Sequence, residues 1–432
     1  MPLSDFQSQR RLLGSIHRNM EPITDPQSPN LDGLLDRIGP ARVVLLGEST
    51  HGTKEFYELR AQISLALIRE KGFNVVALES DWPDTSLVNS YIRGGGKPWL
   101  GGFRRFPEWM WRNHSFVKFV EELLIHNSSE GRAPVSIFGL DLYSLSSSLQ
   151  SVLAFLEKHF PDEAHRARTA RNCFHPWELD PAKYGLAVWQ EALAGCEKEI
   201  LDLLETLSEK RLSQEAAKNS ALFSAFQNAK IIQSAEKYYR KMYEGRVDSW
   251  NLRDRHMFET LLALLDFYGP ESKAVVWEHN SHIGNAAATE MGFFGEQNVG
   301  EFCKRHFGDL AYSLGFLTDH GTVAAAHEWD APVEIKKLLP ARFGSYEELF
   351  HQAGEKNFFL PLKKMKPELS EARLERAVGV IYRPETERLS HYFNADLTRQ
   401  FDEICWIDET HAVEPLPFVK EVDASDTYPF GL

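Results

Sequence analysis

The segment GESTHG, residues 47–52, sets Glu48 and His51 three positions apart directly after the apolar run RVVLLG. Three more apolar runs end in the same manner. NVVALE closes on Glu79 with Asp81 beyond it, VSIFGL leads into Asp141 and Tyr143, and KAVVWE ends in Glu278, followed by His279 and His282. All four endings are acidic and two carry histidine. Imidazole titrates near neutrality, so a histidine among carboxylates is suited to take a proton from water. Crowded carboxylates raise one another's pKa unless cations intervene. Arg60 and a protonated histidine supply such cations, which makes hydrolysis by activated water the chemistry these residues suit. For any single ending, capping or surface solvation is the ordinary explanation. Arg60 with a glutamate is equally readable as a buried pair fastening a helix to a sheet.

Other chemistries fit less well. The chain has no GxSxG elbow, and no cysteine stands beside these endings, which disfavours a covalent serine or cysteine mechanism. The segment HNSH offers His279 and His282 as metal ligands with Glu48 or Glu79 as a third. A pair spaced by three between strand and loop is weaker evidence than HExxH on a helix, so no metal and no cofactor are expected. GESTHG stands where a nucleotide-binding fold would carry GxGxxG.

Residues this far apart meet only if the chain folds as an α/β protein. The four runs are unbroken Val, Ile and Leu segments, the pattern of parallel strands covered on both faces. A mostly parallel sheet flanked by helices would bring their carboxyl ends to one edge, where open sheets bind ligands. Thr53 is placed to cap a helix running to about Lys71, with Gly72 closing it. Phe56, Leu59, Ile63 and Leu67 would form its inward stripe, and Arg60 falls on that stripe. Residues 144–268 read as a helical insertion between the third and fourth runs, a lid or cleft wall within one α/β domain spanning 1–432. Its Trp189, Tyr238, Tyr239 and Trp250 suit core packing or substrate contact. Further on, LAYSLGFLTDHGTVAAA suggests two strands joined at Asp319–Gly321, and EICWIDET a further strand.

Composition narrows the partners. With 43% hydrophobic and 25% charged residues, the 432-residue chain has an ordinary globular balance. A net charge of -14 argues against electrostatically driven nucleic-acid binding. No apolar run is long enough for a signal core or a bilayer span, so a cytoplasmic protein without a membrane partner is expected. Cys173, Cys196, Cys303 and Cys405 lie far apart without CxxC spacing and are expected to be reduced thiols.

Taken together, GESTHG, KEFYELR, ALESDW, GLDLYS, WNLRDRHM and WEHNSHIGN resemble the erythromycin esterase family in order and spacing. VGVIYRPETERLSHYF and QFDEICWIDETHAVEP resemble its C-terminal part, so the likeness covers nearly the whole chain. The resemblance implies a hydrolase that opens macrolide lactone rings by metal-independent activation of water. On the matching positions, His51 would be the general base and Glu48 and Glu79 would orient it or the water. Arg60, His279 and His282 would complete the site. Phe106–Asn113, which includes Trp111, together with Asp141, Tyr143, Arg253 and Asp254, would line a cleft for a small-molecule ester. Some family members are labelled succinoglycan biosynthesis proteins. The competing expectations are a haem- or metal-binding protein of ChaN-like type, from another class, and a metal-dependent hydrolase.

Overall fold

Unbroken apolar runs form strands here because both of their faces are covered. A computed structural model describes residues 3–95, 99–103, 105–177, 180–190, 194–212, 218–366, 368–369 and 371–417. In chain order the strands are β1 (Glu21–Pro22), β2 (Val43–Leu46), β3 (Val75–Asp81), β4 (Ser136–Asp141) and β5 (Ala274–Trp277). They continue as β6 (Ala311–Ala325), β7 (Glu334–Leu338), β8 (Asn357–Pro361), β9 (Arg373–Arg376), β10 (Tyr392–Ala395) and β11 (Glu403–Thr410). The main sheet runs β1-β8-β11-β6-β2-β5-β3-β4, with β7 added along β6. From β11 to β4 every pairing is parallel, whereas β8 and β7 join antiparallel. The fold is thus α/β with a mostly parallel sheet.

The two-residue period of a strand sorts its side chains between two cores. Val44, Leu46, Val76, Leu78, Val275 and Trp277 face helices α1 (Lys54–Lys71) and α2 (His114–Ser128). Val43, Leu45, Val75, Ala77, Ala274 and Val276 face α3 (Arg246–Tyr268) and α5 (Val299–Phe307), with the short α4 (Asn280–Ile283) between those two helices in sequence. Each large apolar side chain removed from water in these cores contributes about 1.5–3 kcal/mol.

Between β4 and β5 the described residues form helices, and most of them share a separate apolar cluster that includes Leu149, Leu156, Phe174, Leu203, Ile232 and Tyr239. The last of them, α3, belongs instead to the sheet core through Met257, Leu261 and Leu264. Trp189 is exposed, Tyr239 is buried in the helical cluster, and Tyr238 meets Tyr143 edge-on.

Two expectations are corrected. The segment from Ala311 to Ala325 is one 15-residue strand and not two strands around a turn. Asp-His-Gly reads as a turn, but Gly321 is needed where a Cβ would collide with the Thr410 backbone on the neighbouring strand. Nor are all cysteines reduced: Cys173 and Cys196 form a disulfide, with their Cα atoms 5.9 Å apart. Packing of the helix Ala164–Phe174 against Glu197–Lys210 brings them together, which a spacing of 23 residues does not announce. Cys303 and Cys405 are free and buried.

Candidate active site

GESTHG leaves β2 at the sheet edge and turns into α1. Its backbone is pinned from the side, with the His51 amide donating to the Val378 carbonyl and the Val378 amide to that of Ser49. Gly52 lies so close to the Ala324 backbone that a Cβ has no room, which fixes the exit of the turn. Thr53 occupies the cap position of α1, but its hydroxyl contacts that of Thr50 and makes no cap hydrogen bond. Gly72 closes the helix in the left-handed conformation, φ 73°.

This anchoring aims Glu48 two ways. One oxygen lies 2.9 Å from His51 Nδ1 and the other accepts from Arg60 Nη2 at 2.5 Å. Arg60 reaches back from α1, fully buried, with its guanidinium 4.7 Å from the Tyr57 ring and 4.8 Å from the Trp277 ring. A carboxylate paired with a guanidinium only accepts. His51 Nδ1 therefore carries a proton, and in the neutral form of the ring Nε2 has the lone pair.

A second cluster stands beside the first. Arg253, on α3, donates to Glu79 at 2.9 Å and to both oxygens of Asp141, with a closest approach of 2.6 Å. One arginine thus ties the ends of β3 and β4 together in the forked geometry that guanidinium favours. The second Glu79 oxygen accepts from the His279 amide at 2.9 Å. His282 Nδ1 meets Asp254 at 2.8 Å, and its Nε2 lies 3.4 Å from Glu79 and 3.2 Å from Arg253 Nη1. Trp250 stacks on His282, with centroids 4.6 Å apart and planes inclined by 7°. The His51 and His279 rings are 5.0 Å apart and join the two halves. Trp111 donates its indole N–H to the Glu79 carbonyl, and the Tyr143 ring lies 5.0 Å from the Arg253 guanidinium.

Burial and neighbouring charge separate the protonation states. Burial pushes Glu79 up, but His282, Arg253 and His51 outweigh it and hold the carboxyl well below its usual range. For His282, burial favours the neutral ring, yet the carboxylates of Asp254 and Glu79 raise its pKa, against opposition from Arg253. His279 is pushed down to about 3, first by burial and then by His51. The Ser281 amide donates to His279 Nδ1 at 3.2 Å, so the neutral ring carries its proton on the buried Nε2. Glu278 makes no hydrogen bond through either oxygen, and burial raises its pKa well above normal.

All six candidate catalytic positions, Glu48, His51, Arg60, Glu79, His279 and His282, are buried at this edge, and Trp111, Asp141, Tyr143 and Arg253 border them. His51 is only 7% exposed. Sequence reasoning left Trp250 between packing and contact and gave Asp254 only a place along the cleft. Their positions in WNLRDRHM, one turn apart and next to Arg253, mark the helix face that meets His282. The His279–His282 pair does not converge with Glu48 or Glu79 as a metal-ligand set. Among the described residues, the group of ligand atoms close enough to hold an ion is Asp319, His320 and His351, elsewhere in the fold. Ser49 Oγ has no hydrogen bond to a base, and burial raises the Cys303 and Cys405 thiols well above normal.

Comparison with known proteins agrees with this architecture. The chain is 24% identical over 416 residues to erythromycin esterase type II of Escherichia coli, covering 87% of this chain and 91% of that protein. It is 21% identical over 413 residues to the putative hydrolase YbfO of Bacillus subtilis (strain 168), covering 91% and 90%. A solved succinoglycan biosynthesis protein shares the fold at a TM-score of 0.73 with 20% identity, over 94% of this chain and 98% of that one. The erythromycin esterase EreC, solved as a mutant in its open conformation, does so at 0.68 with 16% identity, over 93% and 99%. No helix among the described residues is long and apolar enough to cross a membrane. The family model for erythromycin esterase matches residues 68–410, most of the chain, and the protein belongs to the erythromycin esterase family.

Proposed function

We propose that the protein hydrolyses carboxylic esters, macrolide lactones among them, with water activated by His51 and without a covalent or metal-bound intermediate. The observation that carries this reading is the Arg60–Glu48–His51 relay, which fixes the imidazole proton on Nδ1 and leaves Nε2 as a base. These three residues precede the segment matched by the family model, so their assignment rests on geometry.

In this mechanism Nε2 of His51 takes a proton as water attacks the ester carbonyl, and returns it to the leaving alkoxide. Glu48 orients the ring and stabilises the imidazolium that forms. Glu79, held between Arg253 and the His279 amide, positions the water. The neutral His279 Nε2–H and the Arg253 guanidinium, with the His282 ring beside it, supply positive potential for the tetrahedral oxyanion. Trp111 and Tyr143 form walls that exclude bulk water.

The test is hydrolysis of a panel of macrolides and simple carboxylic esters by metal-stripped wild-type protein and by His51→Ala. Turnover that survives stripping and disappears in His51→Ala supports the mechanism, and the preferred ester names the substrate class. Turnover lost on stripping and restored by added metal would replace it with a metal route.

A further inference from the structure

The carboxyl-end parts of β6 and β11, with α6 (Tyr346–Gln352), bring two histidines and two aspartates together. Asp319 Oδ2 lies 2.8 Å from His320 Nδ1 and 3.8 Å from His351 Nδ1, and Asp408 Oδ1 lies 2.6 Å from His351 Nδ1. One ligand atom from each of Asp319, His320 and His351 falls within 4.8 Å of the others. We propose that Asp319, His320 and His351, with Asp408 beside them, bind a divalent transition-metal ion of the zinc type.

Three features support this. Bonds of about 2.0–2.1 Å in a tetrahedral zinc site put neighbouring ligands roughly 3.3 Å apart, and the separations here bracket that value. The framework is rigid: Asp319 and Asp408 come from adjacent parallel strands paired by His320 with Glu409 and Thr318 with Ile407. Backbone contacts hold the aspartates from outside, the Ala341 amide donating to Asp319 Oδ1 at 3.1 Å and the Asp408 amide to the Lys356 carbonyl at 2.8 Å. The Ala341 contact on Oδ1 leaves Asp319 Oδ2 to ligate.

Ligand type and access select the ion. Two imidazoles with carboxylates suit zinc, cobalt or nickel, whereas magnesium and calcium prefer oxygen alone. Asp319 is buried, while the side chains of His320 and His351 are 33% and 49% exposed, which leaves the group open to an ion from solvent. To ligate through Nδ1, each imidazole carries its proton on Nε2. The plain alternative is a pair of surface His–Asp ion pairs that hold no metal.

The experiment is zinc titration of the EDTA-treated full chain by calorimetry, with the visible spectrum of added cobalt as a second readout. One equivalent is expected for the wild type. That equivalent is expected to vanish in His351→Ala and His320→Ala and to persist in His279→Ala and His282→Ala. A zinc-dependent rise in melting temperature should disappear with it, and circular dichroism confirms that each variant is folded. Because His351 is half exposed, His351→Asn serves as the gentler second substitution. Absence of stoichiometric zinc binding to the wild type overturns the proposal. So does an equivalent retained by His320→Ala and His351→Asn, and so does one lost in His279→Ala, which would move the ion to the catalytic cleft. The site shares no ligand with the proposed esterase centre, so ester turnover can fail or succeed independently.

Discussion

His279 offers a quantitative test of the electrostatics drawn for the candidate active site. Burial first and His51 second push its pKa down to about 3, while Glu79 pulls in the opposite direction. In the unfolded chain the same ring titrates near 6.5. The folded protein therefore binds fewer protons than the unfolded chain between these values, and stability falls as pH drops through that window. From pH 7 to pH 5 the linkage from this one residue amounts to a loss of about 2 kcal/mol. His256 and His391, both pushed down to about 4, mainly by burial, act with the same sign. Glu278, Glu347 and Glu375, raised by burial, act with the opposite sign. Comparison with His279→Gln, which cannot titrate, cancels these shared contributions. Urea unfolding followed by circular dichroism at half-unit steps should show the wild-type-minus-variant stability falling by about 2 kcal/mol over this range. Parallel curves would refute the neutral, buried His279, and with it the Nε2–H donor used in the mechanism.

Other perturbations give separate readouts. Arg253→Ala leaves Glu79 and Asp141 buried without their cation and should cost about 3–5 kcal/mol in urea unfolding, with Arg253→Lys recovering only part because it cannot reproduce the fork. Glu48→Gln removes the charge behind His51 and should lower kcat by about a hundredfold or more with little change in KM for a simple ester, measured by steady-state kinetics. Cys173→Ser opens a loop spanning 23 residues and should lower stability by about 3 kcal/mol in a denaturant melt, as should dithiothreitol on the wild type. Below about pH 4.5, protonation of Glu79 begins to remove the stability held by its depressed pKa, and Glu79→Gln should flatten that acid limb in the same unfolding assay.

The central strands are legible because each is an uninterrupted apolar run, and their acidic endings put Glu48, Glu79 and Asp141 at one edge of a parallel sheet. Arg60 was readable as the one charge on the inward stripe of α1, since a buried guanidinium requires a partner. Less local features escaped. The disulfide follows from how two helices between β4 and β5 pack, and nothing in the isolated positions 173 and 196 encodes that contact. The turn signal at Asp319–Gly321 misled because glycine can serve either a reversal of the chain or a close approach between strands, and only the neighbouring Thr410 decides between them. Trp250 on His282 was equally hidden: a tryptophan on a helix looks the same whether it covers an apolar core or a buried imidazole.

Arg253 also bears on the order in which the molecule assembles. Its partners Glu79 and Asp141 lie 174 and 112 residues away along the chain, and the His279 amide reaches Glu79 across 200. Closing such long loops costs chain entropy before any contact returns it, so pairings of this range form late and slowly. The local Glu48–His51–Arg60 unit, spanning 12 residues, requires no such closure. A refolding experiment that follows ester turnover beside far-ultraviolet circular dichroism should find helix recovering first and activity last, the reactive edge appearing when α3 docks onto the sheet.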